Sequence, residues 1–219
     1  MLHSENYTTL LFDLDDTLYE SSTGIWQAIR ERIGLYMHIR LGLDWETIPT
    51  LRANLFNTYG TTLRGLIALY DVDPQDYLDF VHDIPMQDYL KPDPQLGKML
   101  STYPQKKVIF TNADRNHAYR VLKALEILPL FEKIIDIHDI DPHCKPMPEA
   151  FSKAVSLAES DPARCIMLDD SQSNLATARS LGMGTIRVGS TQLSWDYDEC
   201  IPRIQDLPDV FSSNGHNGG

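Results

Sequence analysis

Cysteine is scarce in this 219-residue chain: Cys144, Cys165 and Cys200 are all there is. They show no CxxC spacing and no histidine cluster suited to zinc, so neither a disulfide framework nor a zinc module is expected. Positive charge is also short. Nineteen Lys and Arg stand against 31 Asp and Glu, a formal net charge of -12. Duplex nucleic acid and anionic membranes both need basic surface to replace counterions, and both are disfavoured as partners. A small anion can still bind in a locally positive pocket. No apolar run approaches the length of a membrane span. The opening residues, Met1 to Asn6, carry neither a basic segment nor an apolar stretch, so no secretory leader is expected. These absences point to a soluble, cytoplasmic protein and leave its oligomeric state open.

What is present is an alternation. Tyr7 to Phe12 is a short β-branched and aromatic run that ends in Asp13-Leu14-Asp15-Asp16. An unbroken apolar run of that length suits a fully buried strand. Lys107 to Phe110 ends similarly in Thr111-Asn112, Cys165 to Leu168 in Asp169-Asp170, and Thr185 to Val188 in Gly189. Lys133 to Ile137 is a weaker fifth run. Between them lie helical patterns at Asn116 to Leu125, Pro146 to Leu157 and Ser173 to Leu181, the last closed by Gly182. Strands alternating with helices predict an α/β fold with a parallel sheet covered on both faces.

Residues 19–90 break the alternation. They read as amphipathic helices around Ile25–Leu41, Thr47–Tyr59, Leu63–Tyr70 and Pro74–Val81, with no strong buried strand. Lys91-Pro92-Asp93-Pro94 then makes a stiff linker into a helix at Gln95–Thr102. The expected organisation is a core from 1–18 and 91–211, an all-α helical cap at 19–90, and a disordered tail at 212–219 rich in Ser, Asn and Gly.

In a parallel sheet the residues just past the strand C-termini share one edge, where open α/β sheets bind ligands. That edge would hold Asp13, Asp15, Thr111, Asn112, Asp169 and Asp170. Two like charges 4 Å apart repel by about 4 kcal/mol at an effective dielectric near 20. A hard divalent cation with oxygen ligands relieves such crowding. Taken singly, each Asp is as well explained as a helix cap or turn former. The force of the pattern is joint, since four separated segments each supply a group that phosphoryl transfer needs.

Asp13-Leu14-Asp15-Asp16-Thr17-Leu18, Thr111-Asn112, Lys145-Pro146-Met147-Pro148 and Asp169-Asp170-Ser171-Gln172-Ser173-Asn174 together resemble the four motifs of the haloacid dehalogenase superfamily, in its phosphatase branch. The resemblance implies a Rossmann-like core with a helical cap inserted between the first two motifs, and magnesium as cofactor. It also implies roles. Asp13 matches the nucleophile that forms an aspartyl-phosphate, and Asp15 the general acid and base, whose backbone carbonyl also reaches the metal. Thr111 matches the hydroxyl that holds the transferring phosphoryl group, aided by the Asn112 backbone N–H. Lys145 matches the cation that offsets phosphate and Asp13 charge. Asp170 matches a direct metal ligand, with Asp169 in or just behind that layer and Thr17 and Asn174 in support. Asp15 favours a phosphatase over a dehalogenase, because dehalogenation needs no acid there. Asn174 departs from the commoner pattern, which has an acid at that place.

Within the cap, Tyr59-Gly60-Thr61-Thr62-Leu63-Arg64-Gly65, taken with Leu18 to Ser22 and with Asn116-His117, is similar to the pyrimidine 5′-nucleotidase-like branch. A small phosphorylated metabolite is the expected substrate, and on a physical reading of the segment Arg64 or Thr62 meets its polar part while Tyr59 or Tyr19 stacks on a base. Packing within the cap explains the tyrosines equally well, and His117 equally suits an ordinary helix start. The expected activity is dephosphorylation of nucleoside 5′-monophosphates. The alternatives are a sugar-phosphate phosphatase or phosphomutase using the same intermediate, and a non-catalytic regulator on the same fold.

Overall fold

The computed structural model describes residues 2–212. Eight strands occur among them: β1 (Leu2–His3), β2 (Thr9–Phe12), β3 (Lys106–Phe110), β4 (Lys133–Ile135), β5 (Cys165–Asp169), β6 (Gly184–Val188), β7 (Glu199–Ile201) and β8 (Phe211–Ser212). Six form one parallel sheet in the order β4-β3-β2-β5-β6-β7, and β1 pairs with β8 in a separate two-stranded ladder. The chain runs outward from β2 through β3 to β4, then crosses back to β5 and outward again. The order therefore reverses beside β2, the position at which open α/β sheets form a ligand crevice.

The chain divides into two compact units. One contains the residues up to Ser22 and those from Leu90 onward; the other is Thr23–Tyr89. The first division falls after Ser22 rather than after residue 18. Leu18 and Tyr19 are buried, and the Tyr19 hydroxyl bonds to Asp15, which ties this segment to the sheet unit. Of the expected tail, Ser212 pairs in β8, and 213–219 lie outside the described residues.

In the sheet unit the apolar runs become strands buried along nearly their whole length. Phe110 meets Phe151 edge-on at 5.1 Å between centroids, and Phe12 meets Phe131 at 5.6 Å. Such aromatic pairs add about 0.5–1.5 kcal/mol beyond area burial.

The helical unit holds α1 (Ile25–Leu41), α2 (Ile48–Tyr59), α3 (Thr62–Tyr70), α4 (Pro74–His82) and the short α5 (Met86–Tyr89). Its core is partly aromatic: Tyr36 packs edge-on against Tyr77 and Phe80 and donates its hydroxyl hydrogen to Asp76 at 2.9 Å. Thr61 and Asp73 cap α3 and α4 by accepting from Arg64 N and Asp76 N.

The remaining helices, α6 (Pro94–Ser101), α7 (Arg115–Ala124), α8 (Ile137–Ile140), α9 (Pro148–Leu157) and α10 (Gln172–Ser180), belong to the sheet unit. The fifth apolar run ends as a strand at Ile135. Asp136 instead caps α8, in a capping box with Asp139. No helix among the described residues is long and apolar enough to cross a membrane.

Candidate active site

Strand register builds the site. Phe12 pairs with Ile109 on one side and with Leu168 on the other, so Asp13 emerges level with Asp169 and one step short of Thr111. The Asp13 backbone N–H extends the ladder to Leu168 O at 2.9 Å, and Thr111 N–H reaches Ile135 O at 3.0 Å. Lys145 arrives from the loop between α8 and α9. Its Nζ donates to Asp13 Oδ1 at 2.6 Å and to Asp169 Oδ2 at 2.9 Å, and only 2% of the residue is exposed.

Around this pair the carboxylates are strongly engaged. Asp169 is fully buried, and its two oxygens accept from Ser171 N (2.8 Å), from Asn174 Nδ2 (3.0 Å to each) and from Lys145. The amide at Asn174, where the commoner pattern has an acid, thus serves as a donor that holds Asp169. Thr17 Oγ1 stands 3.5 Å from Asp13 Oδ2.

Asn112 does something the sequence did not indicate. Its side-chain oxygen accepts from Lys145 N at 2.9 Å, and its Nδ2 donates to Lys145 O at 3.0 Å. This two-way clamp fixes the backbone that carries the lysine. Thr177 Oγ1 bonds Pro146 O at 2.9 Å from α10, a second anchor of the same loop that no motif signalled. Thr111 is buried, and its hydroxyl oxygen accepts from Ala113 N at 3.0 Å.

The electrostatics follow from burial. Burial pushes the Asp13 carboxyl well above the usual carboxylate range against the pull of Lys145, with Asp169 and Asp170 adding to the rise. Burial, then Asp169, raises Asp170 to about 6. Burial works against charge on Lys145, but Asp13 and Asp169 outweigh it and hold its pKa above the ordinary lysine value. Three carboxylates face one ammonium, and the cluster is short of positive charge. Asp13, Asp169 and Asp170 each offer an oxygen within 4.8 Å of the others. An all-oxygen donor set with unrelieved repulsion fits a hard divalent cation. Each Asp169 oxygen already accepts two hydrogen bonds.

Asp15 sits beside this cluster. His117 Nε2 lies 2.7 Å from its Oδ1, and the Tyr19 hydroxyl donates to the same oxygen. Burial, then Asp15, raises the Tyr19 pKa well above that of an ordinary phenol. Tyr19 is only 6% exposed. His117 is completely buried, and its place as the third residue of α7 after the cap Asp114 was the available signal for it. Tyr59, Thr62 and Arg64 belong to the helical unit, at the end of α2 and in the first turn of α3.

The family model for haloacid dehalogenase-like hydrolases matches residues 7–182. The chain is 34% identical over 190 residues to phosphate metabolism protein 8 of Saccharomyces cerevisiae, covering 80% of this chain and 59% of that protein. It therefore spans about three fifths of that relative's length. It is 27% identical to the phosphoglycolate phosphatase of Caulobacter vibrioides, covering 85% of this chain and 81% of that one. Its fold resembles that of the magnesium-bound HAD-hydrolase YfnB of Bacillus subtilis, with a TM-score of 0.61, 17% identity, and coverage of 94% of this chain and 98% of that one. The chain belongs to the haloacid dehalogenase-like hydrolase family.

Proposed function

We propose that this protein is a magnesium-dependent phosphohydrolase that works through an aspartyl-phosphate at Asp13. The observation that carries the proposal is the joint placement of Asp13, Lys145, Asp169 and Asp170 at one sheet edge with Asp15 beside them. Asp13 attacks phosphorus while the bond to the leaving oxygen breaks, and Asp15 delivers the proton which that oxygen needs. Asp15 then takes a proton from water as the water attacks the phosphoryl-enzyme, and Asp13 is released. Lys145, held protonated by its two carboxylate partners, offsets charge on the phosphoryl oxygens. Thr111 and the Asn112 backbone N–H would hold the transferring group. Asp13, Asp170 and the Asp15 carbonyl, backed by Asp169, would hold magnesium, which when bound supplies Lewis-acid stabilisation of the phosphoryl oxygens.

The substrate proposed is a nucleoside 5′-monophosphate, pyrimidine ones in particular, and the helical unit acts as a selective cap. The Tyr59 to Gly65 segment supports this through its likeness to pyrimidine 5′-nucleotidase-like proteins. Within it, the Arg64 Nε is buried with no hydrogen-bond partner among the described residues, which suits a residue kept for a ligand. A second reading, a small organic acid phosphate as substrate, draws on the name of the Caulobacter relative.

The test is phosphate release with magnesium from nucleoside monophosphates, sugar phosphates, phosphoglycolate and an aryl phosphate. Preference for UMP or CMP is expected. Turnover confined to another phosphate would overturn the substrate and leave the chemistry. Asp13→Asn should abolish release while the circular-dichroism spectrum stays unchanged, and substantial residual turnover would remove Asp13 as nucleophile.

A further inference from the structure

We infer that His117 and Tyr19 are positioning residues that clamp the carboxylate of Asp15 in one orientation for proton delivery to the leaving group. The inference rests on the phosphohydrolase reading and deepens it. Both partners converge on one atom: His117 Nε2 stands 2.7 Å from Asp15 Oδ1, and the Tyr19 hydroxyl donates to the same oxygen.

The donor set decides what this contact does. A carboxylate oxygen that accepts a phenol O–H and meets an imidazole nitrogen at hydrogen-bond distance is best satisfied when Nε2 also carries its hydrogen. Oδ1 is then committed as an acceptor in both protonation states of Asp15. The proton of the acid form therefore sits on Oδ2, and the carboxyl plane cannot turn about its Cβ–Cγ bond without breaking two part-buried hydrogen bonds.

Both clamps are themselves held. His117 is fully buried at the third position of α7, and its backbone N–H is fixed by the Asp114 cap at 2.8 Å. The helix therefore sets the ring's height above the sheet edge. Tyr19 is 6% exposed and lies four residues beyond Asp15 on the same turn. Asp15 keeps about a fifth of its side-chain surface exposed, and His117 none. The acid thus faces the side open to a ligand while its clamp stays behind it. Burying an imidazole completely against a carboxylate is expensive unless the pair is satisfied, and a purely apolar residue would fill the space at lower cost. The presence of a donor there is what the positioning role explains.

In the step concerned, a bond forms between Asp13 and phosphorus, the bond from phosphorus to the leaving oxygen breaks, and the proton of Asp15 passes to that oxygen. A general acid matters most when the leaving group is a poor one. An alkoxide needs the proton, whereas a nitrophenolate leaves nearly as well without it. Misaligning Asp15 should therefore show as a change in leaving-group sensitivity, which loss of packing alone does not produce.

The experiment compares kcat on an alkyl phosphate and on p-nitrophenyl phosphate for wild type, His117→Ala, His117→Gln and Tyr19→Phe, with magnesium present. His117→Ala should lose at least about tenfold more on the alkyl ester than on the aryl ester, within the range a general acid supplies. Tyr19→Phe should shift the ratio in the same direction by less, with KM little changed. His117→Gln, whose amide offers a donor of similar reach, should recover part of the alkyl rate. If His117→Ala fails to fold, the Gln and Phe variants still carry the ratio. Equal losses on both esters, or none on either, would overturn the clamp and leave the phosphatase reading standing. A wild type that hydrolyses neither ester would overturn that reading and the clamp together.

Discussion

At the scale of single residues, the arrangement around Lys145 shows how one ammonium is made to serve two carboxylates. Its side chain spans Asp13 and Asp169, while its own peptide is gripped on both sides by the Asn112 amide. A lysine side chain has four rotatable bonds, so its head is only as well placed as its backbone. Asn112→Ala deletes both clamp bonds and leaves the Lys145 N–H and C=O to find other partners. Each such bond contributes about 0.5–1.5 kcal/mol, so the variant should lose roughly 1–3 kcal/mol in urea denaturation. On the proposed mechanism the lysine offsets charge in the transition state, so kcat should fall more than KM rises. A variant that keeps both stability and kcat would show the clamp to be idle. The motif spacing made Asn112 visible in the sequence but not its function. The expected role used its backbone N–H, and only the fold brings residue 112 beside residue 145. The role of His117 was hidden for the same reason, since its partner lies 102 positions away.

At the scale of elements, legibility followed burial. β2, β3 and β5 are buried on both faces, and their apolar runs stood out because nothing polar interrupts them. β7 escaped because it is a short, half-exposed strand at the end of the sheet order, with Glu199 and Cys200 in it. The pairing of β1 with β8 joins two-residue strands from opposite ends of the chain, too short to show any period. In the helical unit the helices were readable from their 3.6-residue spacing, but their mutual approach was not. Gly65 on α3 shows why. A Cβ there would stand 2.6 Å from Leu55 Cδ2 and 2.8 Å from Leu55 Cβ on α2, closer than real contacts allow. The glycine is therefore a packing residue, and the Gly60-to-Gly65 segment owes one of its glycines to helix contact. Gly65→Ala should destabilise by about 1–3 kcal/mol through overpacking, despite alanine's better helix propensity. Adding Leu55→Ala should recover part of that loss, so a double-mutant cycle in thermal melts should be non-additive. Additive losses would place the strain elsewhere.

At the scale of the whole molecule, the formal charge of -12 and the crowded carboxylates act in the same direction on stability. Asp170 titrates at about 6 in the folded chain against an ordinary value of 3.8, and Asp13 is displaced the same way. Between about pH 4 and pH 6 the folded state therefore holds more protons than the unfolded one. Stability linked to these groups is present at the acid end and is lost as pH rises through that window. A divalent cation bound by the carboxylates replaces those protons, so it should stabilise strongly at pH 7.5 and weakly near pH 5. A ligand at a hundredfold excess over its Kd adds about 2.7 kcal/mol. For a chain of this size that is roughly 5–10 °C in Tm. Melts at both pH values, with magnesium and with a chelator, should show the larger shift at pH 7.5. Asp170→Asn should abolish most of the magnesium shift and make the metal-free protein more stable at neutral pH, because it removes one of the repelling charges. Turnover should stop in the chelator and return on adding magnesium. Equal magnesium shifts at the two pH values, or a shift unaffected by Asp170→Asn, would mean that the cation binds away from Asp13 and Asp170, and that the repulsion between these carboxylates is balanced within the protein itself.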